Sequence, residues 1–225
     1  MLRSVYNVAM SEHEGPRLSG RQAQAARNDE LILEAARAVF TTDPEAPIAA
    51  VAERAGVGIS ALYRRYPSKE DLLRKLSMDG LQRYLSIVEA ALADEVDPWE
   101  GFATFMQRAV EADTNALTLR LAGTFTPTPD MWQEGDRAAR LNAELIERLR
   151  SAGVLRPEIE VGDLSLLFEM LASIELGDRT RTMQLRQRYL TLLLEAMRPD
   201  GAGPLPGPAP SWEELRARYA PKGSG

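Results

Sequence analysis

The sequence contains no cysteine, a single histidine (His13) and no long uncharged apolar run. Without cysteine there can be no disulfide and no thiolate metal site, which suits a reducing compartment. No stretch reaches the roughly 18 apolar residues of a membrane-spanning helix, and residues 1–15 lack the apolar core of a secretory signal. No phosphate-binding glycine loop and no metal-ligand spacing occurs. We therefore predict a cytoplasmic protein that is not an enzyme and carries no cofactor or metal, with a carboxylate-only enzyme as the alternative.

The composition that is present suits a globular protein, since 44% of the 225 residues are hydrophobic and the length suits two domains. The net charge of −6 is unevenly distributed. Residues 1–75 carry 11 Lys and Arg against 10 Asp and Glu, and residues 48–75 alone carry six against three. The acidic excess lies in residues 76–225. Because local charge governs affinity for phosphates, the overall acidity does not exclude a nucleic-acid partner.

The most informative stretch is 48–73, IAAVAERAGVGISALYRRYPSKEDLL. It predicts two short helices joined by a turn, followed by the start of a third helix. Gly56 follows the first helix, where a left-handed residue commonly ends a helix. Leu62 and Tyr66 lie four residues apart and predict the buried side of the second helix. Ser68 is suited to cap the third. This is the layout of a helix-turn-helix, which inserts its second helix into the DNA major groove.

Residues 56–70, GVGISALYRRYPSKE, resemble the signature of TetR-family transcriptional regulators, and residues 28–40, NDELILEAARAVF, resemble the first helix of that family. The resemblance implies an all-α protein in which an N-terminal three-helix bundle with the helix-turn-helix precedes a larger helical ligand-binding and dimerisation domain. It also implies a repressor that a small-molecule ligand releases from a pseudo-palindromic operator. This chain departs from the family at Pro47, often a threonine, at Gly58, often serine or threonine, and at Arg65, often histidine.

The exposed face of the second helix is predicted to contact double-stranded DNA. Ile59 suits a thymine methyl group, and Ser60 a base or a phosphate. Lys69, with Arg65 and the Tyr63 hydroxyl, is expected to hold phosphates. The complete predicted set is Gly58, Ile59, Ser60, Tyr63, Arg64, Arg65 and Lys69. The alternative, a helix-turn-helix that only binds protein, predicts loss of this basic cluster, which is present.

The rest of the chain predicts helices, with a helix at 115–122 and another capped by Asp130 among them. We divide the chain into a flexible leader (1–24), a helix-turn-helix domain (25–75), a ligand-binding and dimerisation domain (76–198), and a Pro/Gly-rich linker with a short helix (199–225).

Two apolar helices at 161–176 and 179–197 carry stripes that include Leu164, Leu167, Phe168 and Leu171 on the first and Leu185, Tyr189, Leu192, Leu193 and Ala196 on the second. The resemblance implies that they pair with their copies in a homodimer; the alternative is that they only close the core.

An aromatic and methionine group is predicted to line the ligand cavity, with plain core packing as the alternative. Its members are Phe102, Phe105, Met106, Phe125, Trp132 and Phe168. In the last segment, Ser211 and Glu214 form a capping-box pattern, and Trp212 shares a face with Leu215. We expect this short helix to dock on the body of the protein, the alternative being a frayed tail.

Overall fold

The computed structural model describes residues 20–94, 97–113, 121, 123–199 and 203–217, and over these ranges the secondary structure is entirely helical. The helices are α1 (Gly20–Thr42), α2 (Ile48–Ala55), α3 (Ile59–Arg65), α4 (Lys69–Ala93), α5 (Pro98–Glu111), α6 (Pro129–Ser151), α7 (Val161–Ala172), α8 (Arg179–Met197) and α9 (Trp212–Ala217). In the described part of the chain, no helix combines the length and apolar character needed to cross a membrane.

The first three helices and the beginning of α4 enclose one hydrophobic core. Phe40 of α1, Val51 of α2, Leu62 of α3 and Leu72 of α4 are all fully buried in it. Another fully buried member, Leu121, comes from far along the chain. Leu121 therefore ties the loop before α6 to the N-terminal bundle.

A second, larger core fills the space among α4 to α8. Its centre is aromatic: Phe105 packs edge-on against both Tyr84 and Phe168, with ring centroids 6.0 and 6.1 Å apart. The two cores share α4, because Leu72 and Leu76 lie in the first and Tyr84 and Leu85 in the second. The boundary that we placed between residues 75 and 76 thus falls inside one continuous helix.

Several local predictions need correction. Helix α1 begins at Gly20, so the predicted leader is helical over 20–24, while residues 1–19 lie outside the described residues. Helix α6 is capped by Thr128, whose Oγ1 accepts from the Met131 amide, and not by Asp130, which lies in the first turn. Helix α7 ends at Ala172, four residues before the predicted end. The predicted helix at 115–122 lies outside the described residues except for Leu121.

The apolar stripe of α7 packs largely within its own chain. Leu164, Phe168 and Leu171 are buried in the second core of their own chain, and Leu167 packs against it. The reason is that α7 lies between α6 and α8 and uses its regular apolar stripe for both. The large apolar side chains that stay exposed on α7 and α8 are Met170, Tyr189 and Leu192.

Candidate nucleic-acid interface and ligand cavity

Helix α3 is held by local backbone geometry on both sides. Gly56 ends α2 with φ 66° and ψ 27°, a left-handed conformation that glycine adopts at little cost. The Ser68 hydroxyl accepts from the Asp71 amide at 3.0 Å and caps α4. Between these points, Leu62 and Tyr66 are buried, which orients the opposite side of α3 outward. The predicted turn, buried pair and cap are therefore confirmed.

The outward side of α3 carries the residues that we predicted to read DNA. Ile59 is 40% exposed and Tyr63 46% exposed, and Ser60 and Arg64 are exposed beside them. Within the described residues, Arg64 has no carboxylate within ion-pair distance. At Gly58 an added Cβ would meet nothing within 4 Å, so the helix begins with bare, accessible backbone. These four side chains and this backbone form one continuous surface.

Arg65 has an intramolecular partner that the sequence did not reveal. Its Nε and Nη2 donate to the two carboxylate oxygens of Asp29 on α1, at 2.9 and 2.7 Å. The Tyr66 hydroxyl donates to the same carboxylate at 2.6 Å. The Arg65 hydrogen bonds hold the pKa of Asp29 below its ordinary value of 3.8, while burial and the bond to Asp29 raise the pKa of Tyr66.

The Asp29 pair leaves three of the five guanidinium N–H groups of Arg65 for other acceptors. The side chain is 61% exposed, so those groups face outward. Lys69, the first residue of α4, lies next to this surface with its Nζ 5.3 Å from the centroid of the Phe40 ring. This contact positions the ammonium group of Lys69, whose side chain is partly exposed. All seven predicted DNA residues thus belong to α3 and its two flanks.

A cavity of about 200 Å³ lies on the other side of α4, in the larger helical domain. Three of the six predicted ligand residues line it: Phe125, Trp132 and Phe168. The other three, Phe102, Phe105 and Met106, are fully buried in the second core and do not line it. Their helix, α5, packs against α4, α6, α7 and α8, and its aromatic side lies in the core between them.

Several residues of the cavity wall could not be predicted from the sequence. Tyr84 of α4 donates from its hydroxyl to Asn142 Oδ1 of α6 at 2.8 Å, and both residues line the cavity. Burial raises the pKa of Tyr84, so its hydroxyl stays protonated. The Ser77 hydroxyl, also at the cavity, is buried without a hydrogen-bond partner among the described residues. Trp212 and Leu215 of α9 complete the wall.

One carboxylate, Glu169 of α7, also lines the cavity. Asp113 instead pairs with Arg186 at 2.5 Å, and Glu144 is exposed on α6. No cluster of three or more histidine, aspartate or glutamate side chains is arranged for metal binding in the ranges that the structure describes.

Residues 32–76 match the sequence model of the family described as bacterial regulatory proteins, tetR family. The matched residues contain α2, α3 and the Arg65 side of the interface. The chain is also 30% identical over 144 residues to the HTH-type transcriptional repressor LfrR of Mycolicibacterium smegmatis, an alignment that spans 60% of this chain and 70% of that repressor.

Solved structures show the same fold. The TetR transcriptional regulator SCO0520 from Streptomyces coelicolor superimposes with a TM-score of 0.55 at 26% identity, over 76% of this chain and 99% of that one. The TetR-like regulator LfrR from Mycobacterium smegmatis, in complex with proflavine, superimposes with a TM-score of 0.54 at 20% identity, over 80% and 99%. With the helix-turn-helix geometry above, these similarities show that the chain belongs to the TetR family of bacterial transcriptional regulators.

Proposed function

We propose that this regulator is a homodimeric repressor that binds a pseudo-palindromic operator and leaves it when an aromatic ligand occupies the cavity. The observation that carries the DNA part is the exposed surface of α3, where Ile59, Tyr63 and Arg64 project beside Lys69. Ile59 suits a thymine methyl group, and Ser60 a base edge or a phosphate. Arg65 and Lys69, with the Tyr63 hydroxyl, are assigned to phosphates, which position the protein without reading sequence.

Selection of duplexes from random DNA tests this assignment directly. We expect recovery of an inverted repeat with half-sites about one helical turn apart, because a two-fold dimer presents two copies of α3. Arg64→Ala should relax the preference at one symmetric position, whereas the exposed Glu30→Gln on α1 should leave the selected sequence unchanged. Recovery of unrelated sequences, with binding retained, would favour the alternative of a module that binds protein.

The lining of the cavity supports an aromatic ligand with one hydrogen-bonding group. Phe125, Trp132 and Phe168 provide flat apolar walls, and burial of apolar surface there is favourable. The Ser77 hydroxyl, which has no hydrogen-bond partner in the part of the chain that the structure describes, gains a hydrogen bond if the ligand supplies one. LfrR was crystallised with proflavine, so proflavine is the first compound to titrate against this chain and its operator.

The loop that precedes α6 offers a route by which ligand binding in the cavity can affect the DNA-binding helices. Leu121 and Phe125 line the cavity and also pack into the N-terminal core. The backbone of Thr126 is held at the start of α4, where its amide donates to Glu70 Oε1 and its carbonyl accepts from Arg74 Nε, both at 3.0 Å. A ligand that displaces Phe125 therefore acts on the helix that carries Lys69.

The exposed apolar residues of α7 and α8 support the homodimer. Met170 is 57% exposed and Leu192 58% exposed, and large apolar side chains at a surface are suited to a second copy. A dimer through residues 161–197 would set the distance between the two α3 helices. We place the protein in the cytoplasm, where its DNA is, and the family of regulators favours a role without catalysis.

A further inference from the structure

The last described segment, residues 203–217, contributes two residues to the wall of the ligand cavity; we call it the strap. It begins where buried Arg156 donates from Nη2 to the carbonyl oxygen of Gly203. It ends in α9, where Leu215 is buried and Trp212 forms part of the cavity wall. The Ser211 and Glu214 side chains cap α9 reciprocally, with the Ser211 amide donating to Glu214 at 2.7 Å and the Glu214 amide to Ser211 at 3.2 Å. The strap thus carries a preformed turn of helix.

One carboxylate on α6 holds two strap side chains. Asp136 Oδ1 accepts from Trp212 Nε1 at 3.0 Å and lies 3.7 Å from Arg216 Nη1. The Arg216 guanidinium in turn lies 4.5 Å from the centroid of the Trp132 ring, another part of the cavity wall. We call Asp136, Trp212 and Arg216 the latch. The side chains of Asp136 and Arg216 are each 41% exposed, and ion pairs so accessible to water are weak enough to open reversibly.

The path of the strap depends on a glycine in α7. A Cβ on Gly162 would lie 1.9 Å from the carbonyl oxygen and 2.9 Å from the carbonyl carbon of Pro210. Because the obstacle is backbone, any side chain at position 162 must displace the strap. At Gly135 on α6, by contrast, an added Cβ would lie 3.8 Å from the Trp212 ring, which is ordinary contact. Of these two glycines, only Gly162 therefore controls the path of the strap.

We propose that the strap is the movable wall of the ligand site: Trp212 contacts the ligand, and opening of the latch admits and releases an aromatic molecule. This inference rests on the ligand cavity of the proposed function. A wall made of six helical residues after a proline- and glycine-rich run can move without disturbing the second core. Trp212 adds another flat ring to those of Phe125, Trp132 and Phe168, so the strap selects for planar ligands as well as gating them.

The test follows binding of N-phenyl-1-naphthylamine, a neutral aromatic fluorophore, to the full chain by stopped-flow fluorescence. Asp136→Asn removes the charge that holds the latch, and Trp212→Phe keeps an aromatic wall but loses the N–H donor. Each change should raise the dissociation rate of the fluorophore roughly three- to tenfold, the range for one charge-assisted hydrogen bond at an accessible site. Glu213→Gln, an exposed change on α9, is the control and should keep the wild-type rate.

Gly162→Ala tests the strap without touching the latch. It should also raise the dissociation rate, whereas the exposed Glu213→Gln should leave it unchanged. Fluorophore binding to the variants but not to the wild type would equally support a closed strap. Wild-type rates in Asp136→Asn, Trp212→Phe and Gly162→Ala together would overturn the inference while leaving the cavity as a ligand site. If the fluorophore binds to none of these proteins, the cavity is not a ligand site and the inference about the strap fails with it. Operator binding, measured in parallel, tests separately whether the chain is a DNA-binding regulator.

Discussion

Arg65 of α3 donates two parallel hydrogen bonds to the carboxylate of Asp29 on α1, although the two residues are 36 positions apart in the sequence. The Tyr66 hydroxyl donates to the same carboxylate, so the side chains of Asp29, Arg65 and Tyr66 meet at one point. A bidentate pair fixes orientation as well as distance. The angle at which α3 leaves the bundle is thereby tied to α1, and Arg65 has a structural role next to its proposed contact with phosphate.

This pair predicts a specific dependence of stability on pH. Arg65 lowers the pKa of Asp29 from 3.8, so the unfolded chain takes up the proton more readily than the folded one. The stabilisation is therefore complete at neutral pH and is lost as the pH falls below 3.8 towards the lowered value. Asp29→Asn should cost about 1 kcal/mol of unfolding free energy at pH 7, a figure discounted for the exposure of Arg65.

Urea unfolding followed by circular dichroism at pH 7 and near pH 3 measures this difference. Between these two pH values, the free energy of unfolding of Asp29→Asn should fall less than that of the wild type. Glu30→Gln, the exposed neighbour on α1, is the matched control. Identical pH profiles for wild type and Asp29→Asn would mean that the pair does not stabilise the fold.

Lys69 is predicted to neutralise one phosphate. Lys69→Ala should weaken binding to operator and to unrelated DNA alike, and should reduce the slope of log affinity against log salt by about one unit. Lys75→Ala is the control: Lys75 pairs with Asp79 at 2.8 Å and lies about 9 Å further along α4, given 1.5 Å per residue. Fluorescence anisotropy over a salt series provides the slopes. An unchanged slope with an altered sequence preference would mean that Lys69 reads bases and does not neutralise a phosphate.

The helix-turn-helix could be predicted because its signals are local. The left-handed Gly56 and the capping Ser68 act within three or four residues of the chain, so a single stretch of sequence contains cause and effect. The capping box at Ser211 is of the same kind, and it too was predicted. We also expected α9 to dock on the body of the protein, with a frayed tail as the alternative; Leu215 is buried there, while Trp212 stays 38% exposed.

The cavity could be predicted only in part, because its wall joins distant residues. Tyr84 and Asn142 are 58 residues apart, and Trp212 and Asp136 are 76 apart, with no pattern that links them. The aromatic residues of α5 look identical to cavity residues in sequence. Whether such a side chain meets a void or another ring depends on helix packing, which periodicity does not encode.

The loop between the cavity and α4 predicts a variant that binds ligand but no longer responds to it. Glu70→Ala with Arg74→Ala removes both contacts to the Thr126 backbone. Proflavine should then bind with unchanged affinity while releasing several-fold less operator at saturation, since coupling free energies are of the order of 1–3 kcal/mol. Titrations of free and operator-bound protein measure the coupling. Gln82→Ala, exposed on the same helix, is the control, and full release by the double variant would exclude this route.

The dimer is best tested at the exposed apolar residues of α7 and α8. Met170→Lys with Leu192→Lys should leave the monomer folded, because both side chains are more than half exposed within one chain. In a two-fold dimer through these helices, the same change would bury four unpaired ammonium groups, each costing several kcal/mol after relaxation. Light scattering should report a monomer with normal helix content.

Operator affinity of the Met170→Lys, Leu192→Lys protein should fall because the two half-sites lose their tether. Leu167→Lys with Leu193→Lys provides the contrast: both side chains pack against the second core, so that pair should lower helix content as well as dimerisation. Leu31→Lys, the same chemical change at an exposed leucine of α1, should leave a dimer. A dimer that survives Met170→Lys with Leu192→Lys would place the interface outside the exposed apolar residues of α7 and α8, and the spacing of the two α3 helices would then be set elsewhere.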